Sequence, residues 1–79
     1  MPTFTYLQQR IMDVLNDGYR HDIEELCQVI DEYATVENLR PHISIIRKLL
    51  NPVGRDIVCE RRYNKVTYRQ VMMIYREGD

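Results

Sequence analysis

The chain has 79 residues, of which 44% are hydrophobic and 29% are charged, and its formal net charge is -1. A chain of this length builds one compact core and has no room for a second catalytic lobe, so we expect a single domain over residues 1–79. No apolar run approaches the roughly 18 residues that a transmembrane helix needs, and the N-terminal stretch lacks the pattern of a secretion signal. We therefore expect a cytoplasmic protein that does not associate with a membrane.

The charge is distributed unevenly along the sequence. Residues 1–39 carry two basic groups against eight acidic ones, a balance of -6, whereas residues 40–69 carry eight basic groups against two acidic ones, a balance of +6. Clustered basic residues are the electrostatic signature of a nucleic-acid-binding surface, even where the net charge is near zero. The segment 40–69 is therefore the first candidate for a functional site.

Two amphipathic helices are predicted in the acidic half. The first covers about residues 6–17, with Thr5 as its N-terminal cap and Gly18 in the left-handed conformation that often follows a helix. The second covers about residues 22–33 and begins with a pair that resembles a capping box, Asp22 and Glu25. The apolar side chains that set the helical period are Leu7, Ile11, Val14 and Leu15 in the first helix and Ile23, Leu26, Cys27 and Ile30 in the second.

A third helix is predicted over about residues 39–50. Asn38 is expected to cap it, and Pro41 then falls within the first turn, where the missing amide hydrogen costs nothing. One face is apolar at helical spacing and consists of Leu39, Ile43, Ile46 and Leu50. The opposite face carries Ser44 and Lys48, one turn apart.

Beyond the third helix the period changes to about two, which predicts a β-hairpin over about residues 56–73. Its strands contain Ile57, Val58, Cys59, Val66, Tyr68 and Val71. The tip between them is basic, and Asn64 is the residue best suited to a left-handed turn conformation. The apolar residues 72–75 either extend the second strand or pack beneath it.

Three helices followed by a hairpin define the predicted fold class, an α+β winged helix-turn-helix in which the hairpin is the wing. The third helix has one apolar face to anchor it and one polar face to offer donors to a major groove. We therefore expect a protein that binds double-stranded DNA and acts as a sequence-specific transcriptional regulator.

The stretch 36–57 carries a family resemblance. It contains His42-Ile43-Ser44-Ile45-Ile46-Arg47-Lys48-Leu49-Leu50, then Gly54 and Ile57. This pattern resembles the recognition helix and wing entry of OmpR-type effector domains, the winged-helix DNA-binding domains of bacterial response regulators, and Tyr68-Arg69 matches their late aromatic-basic pair. The chain differs from that family in lacking its N-terminal sheet and receiver domain, which favours a stand-alone regulator of the phage or mobile-element type.

The predicted DNA-binding residues lie in the third helix and the wing. They are Arg40, His42, Ser44, Ile45, Arg47, Lys48, Arg55, Arg61, Arg62, Tyr63 and Lys65. Ser44 and Lys48 would face the groove if the resemblance holds, and the arginines would reach phosphates or guanine edges. Two residues keep an alternative: His42 as a structural histidine, and Ile45 as a protein contact or core edge. Tyr63 at the hairpin tip would stack in a groove or on a sugar.

The residue pattern argues against catalysis and cofactor binding. Cys27, His42 and Cys59 are far apart in sequence and do not predict a metal site, and no nucleophile elbow or glycine-rich phosphate loop is present. We expect both cysteines to be reduced and buried.

The acidic first and second helices leave a second hypothesis open. The eight acidic groups of residues 1–39 form either a solvated face or a surface for a basic protein partner such as a polymerase subunit or another regulator. A homodimer would also suit the protein, because one small module contacts few base pairs.

Overall fold

The computed structural model describes residues 3–73. The elements in chain order are helix α1 (Tyr6–Leu15), strand β1 (His21–Asp22), helix α2 (Ile23–Ile30), helix α3 (Val36–Leu50), a 3-10 turn (Asn51–Val53), strand β2 (Arg55–Arg62) and strand β3 (Lys65–Met72). The sheet is antiparallel, and β3 lies between β1 and β2. This arrangement confirms the predicted α+β winged helix-turn-helix fold. The short strand β1 was not predicted.

Helix α1 begins at the predicted cap. The Thr5 hydroxyl accepts a hydrogen bond from the Gln8 amide at 3.3 Å, and the Gln8 side chain accepts one from the Thr5 amide at 3.0 Å, which completes a capping box. The helix ends at Leu15, about half a turn earlier than predicted. Gly18 follows with φ of 78°, the left-handed conformation expected from the sequence.

Helix α2 is shorter than predicted and ends at Ile30, where the backbone of Asp31 becomes extended. Asp22 occupies the N-cap position, but its side chain makes no capping hydrogen bond. The Glu25 carboxylate bonds instead to the ring of His21, at 2.9 Å. The predicted capping box between Asp22 and Glu25 is therefore wrong, because β1 brings a better partner to Glu25.

Helix α3 begins at Val36, almost one turn before the predicted start. Thr35 is its cap, and the Asn38 side chain accepts hydrogen bonds from the Thr35 amide at 2.8 Å and hydroxyl at 3.2 Å. Pro41 is therefore the sixth helical residue, and its placement in the first turn is wrong. An amide at this position would donate to the carbonyl of Glu37, so proline removes one hydrogen bond of the helix.

The hairpin has a continuous register from Arg55 opposite Met72 to Arg62 opposite Lys65. Two residues connect the strands, Tyr63 with φ of 50° and Asn64 with φ of 64°. Positive φ at both positions is the geometry of a type I′ turn, whose twist matches that of the strands. The left-handed conformation predicted for Asn64 is confirmed, and Tyr63 shares it.

The end of β3 is held by a backbone hydrogen bond from the Met73 amide to the Gly54 carbonyl, 2.8 Å long. Met72 and Met73 thus extend the second hairpin strand, which is one of the two alternatives predicted for the apolar residues 72–75. Residues 74 and 75 lie outside the described residues.

The core fills the space between the helices and one face of the sheet. Its buried side chains are Ile11, Met12, Leu15, Leu26, Cys27, Leu39, Ile43, Ile46, Leu50, Ile57 and Tyr68. Both cysteines are free, but only Cys27 is buried. The predicted burial of Cys59 is wrong, because this residue lies where the sheet and α3 diverge into an open groove. Among residues 3–73, no helix has the length and hydropathy to span a bilayer.

Candidate nucleic-acid interface

A groove runs between α3 and the hairpin. The wall from α3 carries Arg40, Ser44, Arg47 and Lys48, which we call the polar face of α3. Cys59 and Tyr68 contribute to the opposite wall, and the groove encloses about 440 Å³. Since residues 40, 44 and 48 are spaced by one helical turn each, the structure brings four of the predicted residues onto one stripe of the helix.

Arg47 is held by a carboxylate on the neighbouring strand. Its Nε donates to Asp56 at 2.8 Å and its guanidinium donates a second hydrogen bond to the same carboxylate at 3.3 Å. This hydrogen bonding lowers the pKa of Asp56 and raises the pKa of Arg47. Arg47 therefore ties the end of α3 to the start of β2, and its charge is partly neutralised before any ligand arrives.

A second ion-pair network crosses the sheet. Glu60 on β2 accepts hydrogen bonds from Arg20, at 3.0 and 3.2 Å, and lies 3.2 Å from the guanidinium of Arg69 on β3. The hydrogen bonding from Arg20 lowers the pKa of Glu60. Both acidic groups of the basic segment 40–69 are thus engaged with arginines.

Five cations on α3 and at the end of the hairpin remain outside these networks. Within residues 3–73, no carboxylate lies at ion-pair distance from Arg40, Lys48, Arg61, Arg62 or Lys65. Three of them belong to the wing tip, which we define as residues 61–65. All five are exposed. The described residues thus offer two exposed cations without an ion pair on α3 and three at the wing tip.

The wing tip lies close to the beginning of α3. Asn64, Lys65 and Arg40 line a common cleft, together with Asp22 and Glu24 at the start of α2. The cleft brings Arg40 of α3 and Lys65 of the wing tip onto one surface. It also places two carboxylates beside them, so the acidic and basic halves of the sequence meet here in space.

Three predicted site residues lie apart from this surface. His42 faces a shallow pocket between the end of α2 and α3, and its buried Nδ1 has no hydrogen-bond partner among the described residues. Ile45 is 45% exposed but does not line the groove. Arg55 lies at the other end of β2 from the tip, beside Asn16 and Gly18. A hairpin strand of eight residues separates the two ends by about 25 Å.

A histidine cluster was missed by the sequence analysis. The ring of His21 bonds through Nε2 to Asp17 at 2.9 Å and through Nδ1 to Glu25 at 2.9 Å, and its side chain is 13% exposed. Burial of the ring alone would lower the pKa of His21, but the two carboxylates outweigh it and the pKa is raised. Asp17 and Glu25 each lie four residues from His21, a spacing that indicates contact within a helix. His21 lies outside the predicted helices, so the spacing alone did not predict the cluster.

Within residues 3–73, no group of three or more histidine, cysteine, aspartate or glutamate side chains is arranged so that it could hold a metal ion. The chemistry that the groove and wing offer is hydrogen bonding and positive charge on a concave surface. Such a surface suits a polyanion.

The described geometry is that of a winged-helix domain with a cationic groove between its third helix and its wing. No protein-family model and no curated protein matches the chain. Among solved structures, the chain is similar to one described as the "Nse1-Nse3-Nse4 complex", with a TM-score of 0.71 and 14% sequence identity. The match covers 98% of this chain and 37% of that chain, so the protein spans little more than a third of its structural neighbour. This likeness establishes the fold.

Proposed function

We propose that the protein binds double-stranded DNA, with α3 in the major groove and the wing on the adjacent backbone. The observation that carries the proposal is the joint surface of Arg40, Lys48 and the wing tip, whose cations have no carboxylate partner among the described residues. Helix α3 is about 22 Å long, and an α-helix fits the width of the major groove of B-DNA.

The roles of the residues follow from their positions. Ser44 and Lys48, one turn apart on the polar face, would donate hydrogen bonds to base edges, while Arg40 and the wing tip would contact phosphates. Arg47 would act mainly by fixing α3 against β2, since Asp56 already occupies its guanidinium.

The finer identity is part of the proposal. The resemblance of residues 36–57 to OmpR-type effector domains supports a bacterial or phage transcriptional regulator that works in the cytoplasm. Specificity would then require a dimer or tandem binding, because a single module contacts few base pairs. Selection of bound duplexes from a random pool would test this, since a dimer enriches two half-sites at a fixed spacing.

The salt dependence of binding tests the proposal. Four cations that each neutralise one phosphate, Arg40 and the three of the wing tip, give a plot of log affinity against log salt with a slope of about -3.6. Arg61→Ala should make the slope shallower by about 1, whereas Lys48→Ala should weaken binding through a lost base contact and leave the slope nearly unchanged. Arg10→Ala is the matched control, because Arg10 lies on α1 against Tyr6 and outside the groove. If neither Lys48→Ala nor Arg61→Ala weakens binding, the assignment of the interface is wrong.

A second candidate function is protein binding through the acidic helices α1 and α2. It is favoured by the structural neighbour, which is described as a multi-protein complex, and by the exposed acidic residues Asp13, Glu24 and Glu25 on these helices. A pull-down with the protein and with Glu24→Lys distinguishes the two functions. This candidate would be favoured if the wild-type protein captures a partner and Glu24→Lys does not, and if the wild type does not bind duplex DNA at low salt.

A further inference from the structure

Among the described residues, Tyr63 has the most exposed aromatic side chain. It is 97% exposed at the end of the wing, so it contributes nothing to the core. Tyr68, five residues later, shows the usual alternative, because its ring is buried beneath the sheet. The wing tip thus carries an aromatic side chain that does not stabilise the fold by packing.

The backbone at this position also disfavours tyrosine. With φ of 50°, Tyr63 lies in the left-handed region, where a bulky side chain is strained and glycine, asparagine or aspartate is preferred. The next residue, Asn64, is of the preferred kind and shares the conformation, with φ of 64°. An aromatic residue that neither packs nor suits its backbone is a candidate for a role in binding.

The surroundings of Tyr63 indicate the chemistry of the ligand. Arg62 precedes it, Lys65 follows Asn64, and Arg61 completes a set of three exposed cations without a carboxylate partner in the described part of the chain. Cations that hold phosphates beside a projecting ring form the arrangement on which nucleic-acid bases stack. In an intact duplex the bases are stacked on each other, so the ring needs a base face that is already uncovered.

We propose that Tyr63 stacks on an unpaired base, and that the wing therefore prefers DNA in which duplex and single strand meet over an intact duplex. This inference rests on the proposed function and specifies its substrate. Helix α3 would hold the duplex side, the cations of the tip would hold the backbone, and Tyr63 would cover the first unstacked base.

Equilibrium binding to two labelled DNAs tests the inference. One is an intact duplex, and the other is the same duplex with a short single-stranded extension at one end. We expect the wild-type protein to bind the extended DNA about 5 to 150 times more tightly, the range that stacking on one aromatic ring provides. Tyr63→Phe should keep this ratio, and Tyr63→Asn should bring it close to one.

Two further variants separate stacking from other effects. Lys65→Ala should weaken both DNAs by the same factor and leave the ratio unchanged, because its contact is to phosphate. Tyr33→Asn is the matched control, since Tyr33 is 84% exposed in the connection between α2 and α3. Tyr63→Asn should also raise Tm by several degrees, because asparagine tolerates the left-handed conformation, whereas Tyr33→Asn should not.

The outcomes distinguish this inference from the proposed function. Equal affinity of the wild type for both DNAs, or an unchanged ratio in Tyr63→Asn, overturns the stacking role and leaves duplex binding standing. Failure of the wild type to bind either DNA at low salt overturns duplex binding as well.

Discussion

Replacing Pro41 by alanine should stabilise the protein. Proline costs nothing in the first turn of a helix and about 3 kcal/mol in the interior relative to alanine. Pro41 is the sixth residue of α3, past the first turn, and it removes the hydrogen bond to the Glu37 carbonyl. Its side chain is exposed, so its loss costs little packing. We expect Pro41→Ala to raise the free energy of unfolding by about 2 kcal/mol.

Thermal unfolding followed by circular dichroism measures this gain. For a domain of this size, 1 kcal/mol corresponds to about 4–8 °C, so Tm should rise by roughly 8–16 °C. Gln28→Ala, at an exposed position in the middle of α2, is the matched control and should change Tm far less. A Tm that is unchanged or lower in Pro41→Ala would refute the reasoning, because it would mean that α3 needs the shape that proline imposes.

Three further predictions concern charge and thiol chemistry. The pKa of His21 is raised in the folded state, so the stability from its two ion pairs is complete below about pH 6.5 and is lost as pH rises through the raised value. The difference in Tm between the wild type and His21→Gln should therefore shrink between pH 5 and 9, and a constant difference would contradict this. Asp56→Asn should lower the free energy of unfolding by about 1 kcal/mol in urea titrations, since its arginine partner is half exposed, and an unchanged midpoint would mean that the pair adds nothing. A thiol-reactive dye should label Cys59 rapidly and Cys27 only on unfolding, because burial shields Cys27 and raises its pKa; equal rates would argue against this packing.

Much of the fold could be predicted because the apolar periodicity is regular. The spacing of Leu39, Ile43, Ile46 and Leu50 locates α3, and all four side chains are buried. The start of α3 was misplaced because Asn38 and Pro41 both favour a helix beginning at that point. Thr35 offers an equally good cap three residues earlier, and local propensity does not distinguish the two.

Two of the missed features, strand β1 and the ion pair of Arg20, depend on partners that are distant in sequence. Strand β1 is two residues long and forms because His21 and Asp22 pair with β3, more than 40 residues further on. Similarly, Arg20 and Glu60 are 40 residues apart in sequence. The charge count of the segment 40–69 identified the basic region, but it could not show which of its cations are already paired.

The position of β3 in the middle of the sheet has a consequence for synthesis. Translation produces β1 and β2 before β3, so β1 has no neighbour to pair with until Thr67 and Tyr68 have left the ribosome, and the pairing of β2 is complete only when Met72 has. Until then the nascent chain exposes unpaired strand edges, which are prone to aggregation. The two-residue turn at Tyr63 and Asn64 shortens this interval, since β3 can fold back on β2 as soon as it emerges.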